Sequence, residues 1–224
     1  MQDEDLFRQI RESLFTAMIG DVMDQAGLTR QFLLPEIRAL KPETVLVGRA
    51  MPVLEADCDG DADGHNGSPD AFGLMFRALD SLKPREVYIC TGASPRYALW
   101  GGLMSTKAAA LGASGVVLDG YHRDTREILT LDLPVFSAGA YAQDQRLRGQ
   151  VIDFGCTIEF GNGCRVAPGD IIVGDIDGVL AIPAEQVADI VHRALTKVAA
   201  EERVRLLIAS GQKTEEIFAT TGIM

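Results

Sequence analysis

No stretch of this 224-residue chain approaches the roughly 20 consecutive apolar residues that a helix needs to cross a bilayer, so no membrane span is expected. Cysteine is sparse. Cys58, Cys90, Cys156 and Cys164 lie far apart, with none of the close spacing of a zinc knuckle or a redox dithiol, and read as reduced thiols of a cytoplasmic protein. Histidine is sparser still. His65, His122 and His192 are scattered, so a metal site built on imidazoles is not expected. His122 adjoins Arg123 and reads equally as a pocket residue or a plain turn residue. Basic charge is in deficit: 21 Lys and Arg against 32 Asp and Glu give a net charge of −11. No basic stripe is present to displace counterions, so no nucleic-acid partner is expected. A small acidic ligand needs only local positive charge and stays open. The first residues, MQDEDLFRQIRESL, are acidic and amphipathic, unlike a secretory signal. Repeats, low-complexity linkers, a phosphate-binding P-loop and a dinucleotide fingerprint are all missing.

What is present is an ordinary globular composition, 47% apolar and 24% charged. The length suits one domain, 1–224, with a C-terminal helical arm at about 184–211. Apolar spacing predicts a helix over 6–25, a strand over 45–54, a helix over 70–82 and a strand over 87–90. A helix over 101–111, a strand over 116–118, a short helix or turn over 126–131 and a strand over 135–138 follow. Strands are then expected over 150–160 and 164–166, and a hairpin over 171–182 about Asp175-Ile176-Asp177-Gly178. A long helix over 184–209, closed by Gly211, ends the pattern. Alternating elements followed by a strand-rich half indicate an α/β fold that is not a simple doubly wound sheet.

The most informative run is 100–124, WGGLMSTKAAALGASGVVLDGYHRD. Gly101 and Gly102 leave the backbone open to a ligand, and the helix after them begins with unpaired amides and a positive dipole end. Val116, Val117 and Leu118 form a buried-strand pattern, which places Arg123 and Asp124 beyond a strand's carboxyl end. An arginine fork grips a carboxylate or enolate, and an aspartate can hold a divalent cation. Together they point to a site for a small metal-bound acid such as pyruvate.

Two other constellations carry less. Asp59, Asp61, Asp63, Gly64 and Asp70 match part of a calcium-loop template. However, the preceding segment reads as a strand, Asn66 stands where a small apolar residue pairs the loop, and the closing acid is Asp rather than Glu. An acidic surface loop, with Asp70 capping the next helix, is the preferred reading. Gly92-Ala93-Ser94-Pro95 lacks the glycine after serine that a nucleophile elbow needs, and reads as a turn or pocket wall.

The run 100–124 resembles the RraA-like family, which includes class II 4-hydroxy-4-methyl-2-oxoglutarate aldolases and regulators of ribonuclease E activity. Gly20-Asp21-Val22-Met23-Asp24, Val47-Gly48-Arg49-Ala50, Pro168-Gly169-Asp170, the block Gly174-Asp175-Ile176-Asp177-Gly178-Val179 and Pro183 extend the resemblance over nearly the whole chain. It implies a layered α-β-β-α sandwich similar to the swivelling phosphohistidine domain of dikinases. It also implies trimers, or hexamers made of two trimers, with sites between subunits. By resemblance, magnesium or manganese is the cofactor and Asp124 its ligand, while Arg123 binds the enolate. Gly101, Gly102, Leu103 and Met104 form the carboxylate cradle. Glu201, or alternatively Glu202, reaches the metal-bound water from a neighbouring subunit.

The activity so implied is lyase chemistry on a pyruvate-containing 2-oxo acid: retro-aldol cleavage of 4-hydroxy-2-oxo acids, oxaloacetate decarboxylation, or both. The alternative is a non-catalytic regulator that binds ribonuclease E. Regulator-type members usually lack the metal aspartate, so Asp124 favours the enzyme. One departure stands out. The family's aldolases commonly carry an acid after Trp-Gly, where this chain has Gly102. This keeps open a third reading, a scaffold that retains Arg-Asp without turnover.

Overall fold

The computed structural model of the chain describes residues 3–59 and 71–223. All but Asp59 of the acidic loop read above as a partial calcium template lies outside them.

The chain opens with helices α1 (Asp3–Ser13) and α2 (Thr16–Gln25), then strands β1 (Arg38–Ala39) and β2 (Leu46–Asp57). The middle runs α3 (Met75–Ser81), β3 (Glu86–Thr91), β4 (Ala98–Trp100), α4 (Gly102–Ala110), β5 (Gly115–Leu118) and β6 (Tyr121–His122). It continues with α5 (Thr125–Ile128), β7 (Val135–Ser137) and β8 (Gly139–Ala140). The rest comprises β9 (Gly149–Phe154), β10 (Ile158–Glu159), β11 (Arg165–Val166), β12 (Ile171–Asp175) and β13 (Gly178–Ile182), then α6 (Val187–Ala209) and α7 (Thr214–Thr221).

The main sheet has the order β1-β7-β5-β3-β2-β12-β13, and β9 adds to the far half of β2. The pairs β2–β3, β3–β5 and β5–β7 are parallel, whereas β2–β12, β12–β13 and β2–β9 are antiparallel. Alternate side chains of β3 and β5 feed different cores, as strands buried on both faces require. Tyr88, Cys90, Val116 and Leu118 pack under α3 and α4. Val87, Ile89 and Val117 turn the other way, onto Ile172, Val179 and Ala181 from β12 and β13. The opposite faces of β12 and β13, with Ile171, Val173, Leu180 and Ile182, pack against α1, α2 and α6. Helices therefore cover the outside of both halves of the sheet, and the inside is a shared apolar core. The curl is tight. A Cβ on Gly174 of β12 would lie 2.9 Å from Phe136 Cζ of β7, although three strands separate them in the sheet order. Arg38 at the β1 edge also donates to the carbonyl of Asp177 at 2.6 Å, in the β12–β13 turn. The sheet is nearly closed, and the fold is mixed α/β.

Several expected elements differ in a way the structure explains. The helix over 6–25 is two helices. Asp175 accepts from the Thr16 amide and from the Thr16 hydroxyl, both at 2.7 Å, and so starts α2 afresh behind an extended Phe15. The strand over 150–160 breaks at Gly155, whose φ of +67 is left-handed, and its end becomes β10. The short β4, β6 and β8 form a separate parallel three-stranded sheet that local pattern does not reveal. The hairpin over 171–182 forms as read, with Asp175 opposite Gly178.

Candidate functional site

The site is assembled by that small sheet. β4 and β6 run parallel with Trp100 opposite His122, so the residue pairs just beyond them meet: Gly101 and Gly102 on one side, Arg123 and Asp124 on the other. The Arg123 amide donates to the Trp100 carbonyl at 2.9 Å and continues the pairing into the site. Buried Trp100 fixes the first turn of α4: its indole N–H donates to Ser105 Oγ at 2.6 Å, and that hydroxyl donates to the Gly101 carbonyl at 3.0 Å. Arg123 and Asp124 are expected in a turn beyond the carboxyl end of the strand at 116–118. Two residues of turn and β6 intervene, so β6, not β5, aims them.

Asp124 has φ +59, a left-handed conformation uncommon for a residue other than glycine. In that pose its Oδ2 accepts from the Gly102 amide at 3.0 Å and caps α4 from outside the helix. Arg123 is half-buried. Its Nη1 lies 3.3 Å from Asp144 Oδ1 and its Nε 3.7 Å from Asp124 Oδ2. Leu103 and Met104 follow Gly102 in the first turn of α4, where backbone amides have no partner within the helix. Gly101, Leu103, Met104, Arg123 and Asp124 line one cavity of about 250 Å³. Both glycines mark close approach. A Cβ on Gly101 would stand 2.7 Å from Asp124 Oδ2, and one on Gly102 only 1.8 Å from Glu127 Oε2.

Glu127 was missed in the sequence because α5 had to fold back onto α4 to bring it there. A second miss is Glu55. This buried β2 residue accepts from the Gln145 side-chain amide at 2.8 Å, and Gln145 lines the cavity. Burial pushes the Glu55 carboxyl up to about 8. The one available signal was an acid inside an otherwise branched, apolar strand.

His122 belongs to the frame. Its Nδ1 is 2.7 Å from Ser137 Oγ and its Nε2 3.0 Å from Thr125 Oγ1, and burial lowers its pKa. Ser94 is a turn residue: its amide donates to Asp57 and its hydroxyl accepts from Arg96. Glu201 and Glu202 are not brought to Arg123 within one chain. Glu201 sits on α6 between Lys197 and Arg205, each at 3.7 Å, in a cleft shared with α2 and α7, and Glu202 pairs with Arg205 at 3.3 Å.

A divalent cation would find here chiefly the carboxylate of Asp124, over a turn kept clear by two glycines. No group of three or more His, Cys, Asp or Glu side chains able to share an ion occurs among the described residues. One carboxylate, with water completing the shell, suits magnesium or a similar hard cation and not a zinc-type site.

A half-buried arginine and a carboxylate set against the amide end of a helix form a site suited to a small anion on an α/β scaffold. The chain belongs to the RraA-like family, described as Aldolase/RraA, whose model matches residues 16–181. A Methanocaldococcus jannaschii protein, uncharacterized MJ0644, is 29% identical over 77% of this chain and 95% of its own. A Halalkalibacterium halodurans protein provisionally named 4-hydroxy-4-methyl-2-oxoglutarate aldolase is 31% identical over 88% of this chain and 86% of its own. In fold, the chain matches Streptomyces coelicolor RraAS2, described as an unusual member of the RNase ES inhibitor RraA protein family. The TM-score is 0.77 at 20% identity, covering 90% of this chain and 96% of that one.

Proposed function

We propose that this protein is a divalent-metal-dependent lyase of the cytoplasm that releases pyruvate from a 2-oxo acid. The reaction is retro-aldol cleavage of a 4-hydroxy-2-oxo acid, decarboxylation of oxaloacetate, or both. The observation that carries this reading is the meeting of Arg123 and Asp124 with the first turn of α4. Relatives named as aldolases agree with it.

In the proposed reaction, the Leu103 and Met104 amides donate to the substrate carboxylate. The Arg123 fork stabilises the oxygen that gains charge as the enolate forms. Asp144 holds one edge of the guanidinium and so restricts its swing. Asp124 would hold the magnesium or manganese ion, which supplies Lewis-acid stabilisation of that same charge. Glu201, or Glu202, would reach the ion's waters from a neighbouring subunit of a trimer or of a hexamer of two trimers.

A second reading, binding of a protein partner without turnover, is favoured by the 84% exposure of Leu103 beside the site. The deciding experiment measures pyruvate release from oxaloacetate and from 4-hydroxy-2-oxo acids, with magnesium and with excess chelator. Release that depends on magnesium is expected. No release from any substrate, or full release in chelator, would remove the metal-lyase reading.

A further inference from the structure

The cavity beside Arg123 has two unlike sides. One is a polar corner of Arg123, Asp124 and Asp144. The other is an apolar wall built by Met75 and Phe76 of α3, Trp100 of β4, and Leu103 and Met104 of α4. Arg123 is the only cation among the described residues lining the cavity. It already faces Asp144 at 3.3 Å and Asp124 at 3.7 Å.

We propose that the site selects 4-hydroxy-2-oxo acids whose C4 substituent is an alkyl or aryl group, and discriminates against substrates that carry a second carboxylate. The inference rests on the lyase reading above. The carboxylate of the pyruvate half takes the α4 amides, and the Arg123 fork takes the oxygen that gains charge in the enolate. A second carboxylate, on the departing half, would meet Phe76 and Leu103 on one side and Asp144 on the other. From the described lining of this chain it would gain no cation in return for the water it gives up, and a like charge would face it. An alkyl or aryl group in the same place instead covers Phe76 and Leu103, which are 48% and 84% exposed, and removes apolar surface from water. The cleavage itself needs no other reactant. The C4 hydroxyl loses its proton, the C3–C4 pair stays with C3, and C3 takes up a proton. The products are pyruvate and an aldehyde or ketone bearing the apolar group. This departs from the dicarboxylate named for the H. halodurans relative.

The test compares kcat/KM for pyruvate release, with magnesium, on 4-hydroxy-2-oxo acids bearing methyl, isopropyl or phenyl at C4. 4-Hydroxy-4-methyl-2-oxoglutarate and oxaloacetate are the dicarboxylate controls. The apolar substrates should be favoured by on the order of a hundredfold. Phe76→Arg should narrow that ratio by about tenfold by raising turnover of the dicarboxylates, and Leu103→Arg offers the same gain at a more exposed position. Thermal midpoints and magnesium-dependent pyruvate release establish that each variant is folded and competent. Dicarboxylates cleaved as well as the apolar substrates, or an unmoved ratio in both competent arginine variants, would overturn the specificity while leaving the lyase reading intact. Failure of every substrate with the wild-type protein would remove the lyase reading and this inference with it.

Discussion

Asp124 holds a backbone conformation that costs an ordinary residue of order 1 kcal/mol or more, and it does so where its side chain reaches the Gly102 amide. Arg123 next to it is aimed by Asp144. Its proposed value lies in the planar fork, which two parallel hydrogen bonds require and an ammonium cannot reproduce. Arg123→Lys should therefore cut pyruvate release by on the order of 100-fold or more, while circular dichroism stays unchanged. A lysine variant with near-normal kinetics would rule out the fork. Glu55 makes a different prediction. Its folded-state pKa, about 8, lies above the ordinary value of 4.5. The folded protein therefore holds this proton more tightly than the unfolded chain. The linked stability is fully present below the unfolded pKa and drains away as pH rises towards and through about 8. Glu55→Gln keeps an acceptor for Gln145 but cannot ionise. Urea titrations at pH 5 and pH 8.5 should show wild type losing a few kcal/mol more than the variant, on the order of what a shift of this size implies. Parallel losses in both proteins would exclude Glu55 as the source.

At the scale of elements, the meeting of α4 and α5 explains the glycine at 102. The Glu127 carboxylate fills the space where a side chain at 102 would begin. Gly102→Asp must push that carboxylate aside and set two like charges at one helix end, although the helix dipole offsets part of the repulsion. Because Glu127 is a long side chain that can swing, the cost should be modest, on the order of 1 kcal/mol. Glu127→Ala should relieve it. A double-mutant cycle by chemical denaturation should give a coupling of similar size. Additive effects would mean that Glu127 does not occupy that space in solution. The start of α2 is also a matter between elements, since Asp175 at the end of β12 supplies the cap that its own sequence lacks.

At the scale of the whole molecule, a nearly closed sheet leaves α6 as the element that exceeds the needs of the core. Its buried residues concentrate in its first half, at Val187, Ile190, Val191 and Ala194, with Val204 further on. Beyond these, Leu206 is 65% exposed and Ile208 41%. In one chain Glu201 faces α2 and α7 rather than Arg123. If α6 completes a neighbour's site, two inactive proteins should repair one another. Asp124→Ala, and a variant with both Glu201 and Glu202 replaced by alanine, are mixed after dissociation and reassembly. In the proposed trimer, mixed assemblies would contain some sites with both native halves, so part of the activity should return. A mixture as inactive as its parents, with each variant still assembling normally, would end the shared-site proposal.

Local sequence determined much of this protein. Apolar periodicity yields most of the long elements, because a strand or helix with a buried face must repeat at its own period. The β12–β13 turn is legible from its turn residues, Asp175-Ile176-Asp177-Gly178, and the start of α4 from the two glycines before it. The run 100–124 also contains Arg123 and Asp124 beside each other, with their chemistry readable from residue type. Tertiary structure decided where these groups meet. β4 and β6 are two or three residues long, too short to show a period, and they pair only because the chain between them returns in parallel. Glu127 reaches Gly102, Asp175 caps α2 and Gln145 contacts Glu55 across separations of 25, 159 and 90 residues. No periodicity encodes such contacts, since hydrogen bonds and close approach depend on distance in space rather than along the chain.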